Sequence, residues 1–385
     1  MKATLKFSFW RTVFWILIGL GTWSVGVRIF KGLGAATNLS NQFPWGLWIG
    51  FDVLCGVGLA AGGFTIAALV HIFNLDTYRP IVRPAILTAF LGYFLVAVGI
   101  TLDIGLPWRI WHPLVFWNHN SVMFEVAWCV TLYLTVLALE FLPAVFERFR
   151  LKWALKLHHK ITIVLVIAGV LLSTLHQSSL GSLYLIVPGK LHPLWYTSLL
   201  PYLFFISAVG IGFAMVIVES TLSKRAFGKA LEMPLLAKLG QAMVVVLGVY
   251  GLLRLFDMFS RKVFRGVEIH STEALYFSLE MLLLVVIPVG LLVFRRIRET
   301  PGGLFAGALS AVLGFVLNRL DVSITGMSRA AGAAYQPSWM EWSVTLGLTA
   351  LGFGLFALAV KYLPVFEAAG EPRPLIEEER DSAAA

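Results

Sequence analysis

Residues 121–146 read SVMFEVAWCVTLYLTVLALEFLPAVF, an apolar run long enough to cross a lipid bilayer as a single helix. Glu125 lies about one turn from the start of this run. Inserting a carboxylate into hydrocarbon costs about 2.5–3.5 kcal/mol, so such residues are rare in membrane helices and usually serve a function. The run therefore predicts a membrane-spanning helix that carries a functional carboxylate.

The chain contains ten apolar runs of this kind. It has 385 residues, of which 58% are hydrophobic and 13% are charged, and its mean hydropathy is +0.83. Runs this long and continuous are typical of transmembrane helices and not of barrel strands, so we predict an all-α polytopic membrane protein. The predicted spans are 12–31, 46–71, 83–104, 121–147, 159–177, 196–222, 234–257, 272–294, 303–323 and 340–363.

The net charge of +9 does not indicate nucleic-acid binding, because the basic residues follow the membrane topology. With the N-terminus inside, twenty of the 30 lysine and arginine residues fall on cytoplasmic segments. This bias predicts a multi-pass protein with both termini in the cytoplasm. The expected location is a prokaryotic cytoplasmic (inner) membrane. We interpret the first apolar run as a retained helix and not as a cleaved signal peptide.

The two cysteines, Cys55 and Cys129, lie within predicted helices and form no CxxC or CxxCH motif. Thiolate ligation of an iron–sulfur cluster requires more cysteines than this. We predict no metal site in the chain.

Acidic, imidazole and amide side chains gather in the outer third of the membrane in four consecutive helices. A carboxylate or an imidazole in this setting can hold and pass a proton. Mutual pairing and helix capping are the structural alternatives for each residue. The residues are Asp52, Asp103, His119, Glu125, His176 and Gln177.

A second carboxylate, Glu140, lies 15 residues after Glu125 in the same run. Helical geometry puts the two about 22 Å apart along the axis and about 60° apart around it. Glu140 is either the inner end of a proton route, with Thr131, Tyr133 and Thr135 between, or a residue that reaches the inner interface.

In the second half of the chain, the spacing of Arg254 and Asp257 suits a local ion pair. Glu280 or Asp257 with Arg319 is interpreted as a structural pair that holds helices together.

Two other functions stay open on these residues. A proton-coupled secondary transporter would also have ten helices and buried carboxylates, usually near the midplane. A haem b membrane anchor would need two histidines at equal depth. The candidate pairs are His71 with His159 and His119 with His176.

Several segments together resemble the NrfD/polysulfide-reductase family of quinone-interacting membrane subunits. They are 41–52 (NQFPWGLWIGFD) with the glycine-rich continuation to Gly63, 118–125 (NHNSVMFE) and 176–179 (HQSS). Within this family the chain is most similar to the HybB branch, the membrane subunits of quinone-linked nickel–iron hydrogenases.

The resemblance implies two four-helix bundles with flanking helices and a quinone site in the first bundle, near the outer face. It also implies an extracytoplasmic ferredoxin-like iron–sulfur partner subunit, a catalytic nickel–iron hydrogenase and no haem. The expected ligand is an exchangeable menaquinone or ubiquinone. The implied division is 1–177 with the quinone and proton site, 178–366 as the second bundle, and 367–385 as a disordered cytoplasmic tail.

Carried onto this sequence, Asp52, Asp103, Glu125 and His176 would line the quinone and proton site. Trp45 and Trp48 would form apolar walls around the ring. Glu125 would relay protons and Glu140 would lie on the path to the cytoplasm. His119 and Gln177 complete the predicted set.

Overall fold

The computed structural model describes residues 9–186, 189–228, 232–263, 266, 268, 270–332 and 335–366. Within these residues, ten helices are long and apolar enough to cross a membrane, which confirms the predicted number and the all-α class. The predicted tail, 367–385, lies outside the described residues. The helices are α1 (Phe9–Lys31), α2 (Trp48–His71), α3 (Asp76–Asp103), α4 (Val122–Arg148), α5 (Lys152–Leu183), α6 (Leu200–Phe227), α7 (Met233–Ser260), α8 (Thr272–Leu292), α9 (Pro301–Ala331) and α10 (Trp339–Tyr362).

Consecutive helices run in opposite directions, so their ends define two faces. We call the face that carries the segments after α1, α3, α5, α7 and α9 the long-loop face. The short-loop face carries the segments after α2, α4, α6 and α8. Asp52, Asp103 and Glu125 lie toward the long-loop face, while Glu140 lies toward the short-loop face.

The helix contacts group the spans into two sets of four. Helices α2, α3, α4 and α5 each contact the next, and α5 closes the set against α2. Helices α6 to α9 form a second set in the same way, with α9 against α6. Contacts of α2 with α6 and α9, and of α5 with α6, join the sets, while α1 and α10 pair beside α2 and α3.

Close packing at the centre depends on small residues of α2. A Cβ atom on Gly58 would overlap the Phe315 ring of α9, and one on Gly62 would lie 3.1 Å from the Gly212 carbonyl oxygen of α6. Glycines at this spacing let helix backbones approach each other. Gly58 and Gly62 therefore allow α2 to pack closely between the two sets of helices.

In the part of the chain that the structure describes, three helices contain a π-helical stretch: Trp48–Cys55 in α2, Leu282–Val286 in α8 and Asp321–Thr325 in α9. The stretches in α2 and α9 contact each other, and each carries an aspartate, Asp52 and Asp321. Such stretches change the phase of the side chains that follow and occur often at functional sites. Hydrophobicity alone does not reveal them.

Helix α5 continues to Leu183, beyond the predicted end and domain boundary at residue 177. Hydroxyl groups explain the difference. Ser178, Ser179 and Ser182 each donate a hydrogen bond to the carbonyl oxygen four residues earlier. Because the serine hydroxyls are hydrogen-bonded within α5, the helix continues past Gln177 although the hydrophobicity falls there.

Candidate functional site

Asp52 faces α10 and not the interior of the α2–α5 set. Its carboxylate is buried and accepts a hydrogen bond from the Thr345 hydroxyl of α10 at 2.8 Å. A Cβ atom on Gly99 of α3 would lie 3.1 Å from the Asp52 Cβ, so α2 and α3 are tightly packed at this level. The π-helical stretch of α2 thus directs Asp52 to the outside of the first set of helices.

Asp103 ends α3 on the same side of the molecule as Asp52. Its Oδ1 atom is buried and has no hydrogen-bond partner, and the carboxylate lies in electrostatic range of Arg28 and Glu341. Arg28 of α1 is buried and donates hydrogen bonds of 2.6 Å to the carbonyl oxygens of Leu102 and Ile104. Arg28 therefore fixes the end of α3 and offsets the negative charge of Asp103.

Glu341 completes this acidic group from the start of α10. It accepts hydrogen bonds from the backbone N–H groups of Asn38 and Ser338 and from the Tyr335 hydroxyl, and it is buried. Ser338 caps the helix in return. Glu341 thus has a structural role, since it caps the start of α10 and joins it through Asn38 to the segment after α1.

Trp48 and Trp45 occupy different environments. Trp48 is fully buried and donates a hydrogen bond from Nε1 to the Glu341 carbonyl oxygen at 3.2 Å, so it joins α2 to α10. Trp45 is half-buried, packs edge-on against Tyr184, and lines a cavity of about 210 Å³ at the long-loop face together with Lys190. Trp45 thus presents a surface to this cavity, whereas Trp48 is packed between α2 and α10.

Glu125 lies at the long-loop end of α4 and is exposed. It accepts a hydrogen bond of 2.6 Å from the Ser179 hydroxyl of α5. The extension of α5 past residue 177 makes this contact possible. His119 is also exposed, in the segment before α4, where its ring contacts Trp117 and Phe124.

A row of buried polar side chains lies in the interior of the α2–α5 set. Several of their atoms have no hydrogen-bond partner, although buried polar groups are nearly always paired. Tyr93 of α3 is the centre of the row. Its ring is 4.5 Å from that of Tyr133 and 5.5 Å from that of His176, and its hydroxyl lies near Ser173 and Gln177 without hydrogen-bond geometry. The unpartnered atoms are the Tyr93 and Tyr133 hydroxyls, Ser173 Oγ, both ring nitrogens of His176 and Gln177 Oε1.

The two ends of this row approach Glu125 and Glu140 of α4. At the short-loop end, Tyr133 lies in electrostatic range of Glu140, and Gly169 of α5 leaves room for the Glu140 carboxylate. At the long-loop end, Ser179 is three residues, or about 4.5 Å of helix, beyond His176. Thr131 and Thr135 lie between the two glutamates along α4, but they are exposed and donate to carbonyl oxygens of their own helix, so they are not part of the buried row.

The structure thus separates the predicted site residues into two groups. Asp52 and Asp103 lie on the α10 side of α2 and α3. His176, Gln177, Glu140 and, at its rim, Glu125 belong to the α2–α5 interior. Ser173, His176 and Gln177 have the i, i+3, i+4 spacing of one helix face, which the sequence could have indicated, whereas Tyr93 had no such signal.

The second set of helices contains a separate charged cluster. Glu280 accepts hydrogen bonds of 2.8 Å from Trp195 and Asn318, and Arg254 and Arg319 lie in electrostatic range of it. The predicted pairing of Arg254 with Asp257 is wrong, because Asp257 instead pairs with Arg261 at 2.6 Å. The Arg254 guanidinium donates to the Leu194 carbonyl oxygen. These contacts connect the helices of the second set.

The chain is similar to membrane proteins of several oxidoreductases. It is 36% identical over 344 residues to the probable Ni/Fe-hydrogenase 2 b-type cytochrome subunit of Escherichia coli, covering 88% of this chain and 87% of that one. It is 27% identical to the menaquinone reductase integral membrane subunit of Nitratidesulfovibrio vulgaris, covering 94% and 92%. It is 25% identical to one of the selenate reductase subunits of Mesobacillus selenatarsenatis, covering 95% and 97%.

The first of these names contradicts the prediction that no haem is expected, because a b-type cytochrome binds haem. That prediction was wrong, since it rested on the absence of a well-placed histidine pair. Among the described residues, His71 and His159 are in electrostatic range of each other, at the short-loop face. His176 is buried with both ring nitrogens unpartnered, but the ring beside it is that of Tyr93. A haem with two histidine ligands therefore does not fit at His176.

A sequence model of the family described as polysulphide reductase, NrfD, matches residues 35–331, which include α2 to α9. This match covers most of the chain and contains the buried polar row together with Glu125 and Glu140. The resemblance that the short motifs indicated is thereby confirmed. The chain belongs to the NrfD polysulphide reductase family and is a HybB-like member of it.

Proposed function

We propose that the chain is the quinone-linked membrane subunit of a respiratory oxidoreductase complex, and that the interior of the α2–α5 set conducts protons for it. The buried polar row carries this proposal. An unpaired buried polar group costs about 1–3 kcal/mol, and the row contains several such groups. A structural core would pair them or replace them. A row that exchanges protons with bound water requires free donors and acceptors.

The quinone ring is placed at the long-loop end of this row, against Glu125 and Ser179. Glu125 is accessible there, so a substrate from the bilayer can approach it, and His176 is the next titratable side chain along α5. Reduction of a quinone requires two electrons and two protons. Glu125 delivers protons to the ring, and the row resupplies Glu125 from the level of Glu140.

The electrons come from a partner protein. Cys55 and Cys129 are both buried and form no disulfide, and the described residues contain no cluster of three or more His, Cys, Asp or Glu side chains of the kind that ligates a metal ion. We assign the donor to an iron–sulfur subunit at the long-loop face. Trp108, Trp111 and Trp117 are exposed in the segment between α3 and α4 and offer it an apolar surface.

Similarity to the E. coli subunit favours a nickel–iron hydrogenase as the enzyme behind that donor, and similarity to the menaquinone reductase subunit favours menaquinone as acceptor. The positive-inside bias favours the bacterial cytoplasmic membrane, with the short-loop face and both termini in the cytoplasm. Protons then travel from the cytoplasmic side, over the roughly 22 Å between Glu140 and Glu125.

The test uses the assembled complex in proteoliposomes. Glu125→Gln keeps the size and hydrogen-bonding capacity of the side chain but cannot carry the proton. We expect hydrogen-dependent menaquinone reduction to fall roughly 100-fold or more, while dye reduction by the partner enzyme persists. Glu273→Gln is the matched control, because Glu273 also lies in the first turn of a helix at the long-loop face but belongs to α8.

Unchanged menaquinone reduction in Glu125→Gln would refute the proposed role of this residue. Loss of complex assembly would make Glu125 a structural residue. The absence of a membrane potential during turnover would reject proton uptake from the short-loop face.

A further inference from the structure

A cavity of about 450 Å³ lies between α2, α3, α6 and α10, and the proposed function does not use it. Leu91 and Leu95 of α3 line this cavity. Tyr93, at the centre of the polar row, is two residues from each and therefore about 160° away around the helix. The cavity and the row are thus on opposite faces of α3.

The cavity is elongated along the membrane normal. On α6 its lining extends from Met215 to Phe227, which is about 18 Å of helix in a hydrocarbon core of about 30 Å. The rings of Phe227 and Phe356 contact each other at the short-loop end, with centroids 6.4 Å apart. At the other end the lining reaches Asp52. This shape suits a molecule with a long hydrocarbon chain.

The polar groups of the lining lie mainly toward its two ends. Asp52 and Thr349 lie toward the long-loop face, and Glu219 lies toward the short-loop face, where it accepts a hydrogen bond of 2.7 Å from the Thr88 hydroxyl. No lysine or arginine is among the described residues that line the cavity. A phosphate head group, which needs cationic partners, would meet carboxylates here.

A neutral head group with hydroxyl or carbonyl oxygens fits these ends. The Asp52 carboxylate can accept a hydrogen bond from a quinol hydroxyl, and Phe51 and Phe353 supply aromatic surface in the lining. Among membrane amphiphiles, an isoprenoid quinone combines a neutral aromatic ring with a long apolar chain. Phospholipids combine two chains with a phosphate, which the lining does not accommodate.

We propose that this cavity is a second binding site for an isoprenoid quinone, with the ring toward Asp52 and the chain along α6 and α10. The inference rests on the proposed function in one respect, since it takes a quinone as the substrate of the complex. It assigns a separate site to a second molecule and requires no electron transfer there. A bound quinone at this position exchanges with the bilayer between α6 and α10.

The experiment photolabels the complex in phosphatidylcholine nanodiscs with an azido-naphthoquinone that carries an isoprenoid chain. Labelled peptides are mapped by mass spectrometry. We expect labels both on α4 or α5 and, separately, on α6 or α10. Leu348→Trp places an indole in the cavity and should abolish the α6 and α10 labels while the α4 and α5 labels persist. Leu346→Trp is the matched control, because Leu346 is exposed on α10 two residues away.

Equal α6 and α10 labelling in Leu348→Trp and wild type overturns the proposal, as does labelling confined to α4 and α5. Co-purification of a phospholipid that the quinone does not displace from α6 and α10 also overturns it. If Leu348→Trp does not assemble, the wild-type map and its competition by unlabelled menaquinone decide. Failure of the proposed function is distinct, since it appears as loss of the α4 and α5 labels and of Glu125 dependence.

Discussion

The charged cluster of the second set of helices predicts a large loss of stability when Glu280 loses its charge. Glu280 is completely buried, and so, within 1%, are Arg254 and Arg319. Atoms of both guanidinium groups, namely Arg254 Nε and Nη1 and Arg319 Nε, have no hydrogen-bond partner. The Glu280 carboxylate is therefore the main group that offsets these two buried positive charges.

Glu280→Gln retains the volume but removes the negative charge. Removing one partner of a buried ionic group destabilises by about 3–5 kcal/mol, because the other charge is left uncompensated. The amide also presents an N–H to either Trp195 or Asn318, both of which are donors. For a chain of this size, about 2 °C per kcal/mol gives a fall of about 6–10 °C in apparent unfolding temperature.

The assay is thermal unfolding of the purified protein in one detergent, with Asp76→Asn as the control. Asp76 pairs with Arg79 at the surface, with side chains 68% and 41% exposed, and such pairs contribute about 1 kcal/mol or less. A double variant, Glu280→Met with Arg319→Met, should be less destabilised than the sum of its single variants by about 1–3 kcal/mol. A fall of less than about 2 °C in Glu280→Gln, or additivity in the double variant, would refute the reasoning.

Three further predictions concern other parts of the molecule. Tyr133→Phe removes a hydroxyl that has no hydrogen-bond partner, so we expect the free energy of unfolding to change by less than about 1 kcal/mol while menaquinone reduction becomes roughly tenfold slower. Tyr202→Phe is the control, because the Tyr202 ring is exposed. Equal rates in the two variants would exclude Tyr133 from the proton row. Arg28→Met leaves the carbonyl oxygens of Leu102 and Ile104 without their donor and should lower the free energy of unfolding by about 2–4 kcal/mol. Lys31→Met, on the exposed end of α1, should not lower it. Equal unfolding temperatures in the two variants would contradict the anchoring role of Arg28. Burial lowers the pKa of His192 below its ordinary 6.5, so its contribution to stability is present above that pH and is lost as the pH falls toward the lower folded pKa, where Nδ1 can no longer accept from the Leu194 N–H. Thermal unfolding between about pH 7 and 5 should show a smaller loss in His192→Asn, whose side chain does not titrate, and an unchanged slope would disprove this.

Hydrophobicity alone predicted only part of helix α5. The apolar run ends at residue 177, yet the helix reaches Leu183 because three serines bond to their own backbone. The six residues that hydrophobicity leaves out include Ser179, the partner of Glu125. Hydrophobicity does not predict helix residues whose polar side chains donate hydrogen bonds to the backbone of their own helix.

The candidate site was predicted in part for a similar reason. Depth in the membrane follows from position along a span, so the sequence placed Asp52, Asp103 and Glu125 at one end of the helices. Direction around the helix axis does not follow as simply. The π-helical stretch Trp48–Cys55 turns Asp52 toward Thr345 of α10, away from His176.

The sequence by itself determined the number of membrane helices and their order, because burial of apolar runs in lipid depends only on length and composition. Its short motifs also indicated the family. Tertiary structure alone decided which side chains share an interior. Tyr93, Tyr133, Ser173 and His176 lie in one row. Asp52 of α2 lines a cavity on the opposite face of α3. The physical reason is that hydrophobicity reports depth, whereas contact between side chains depends on helix phase and on which helix packs against which.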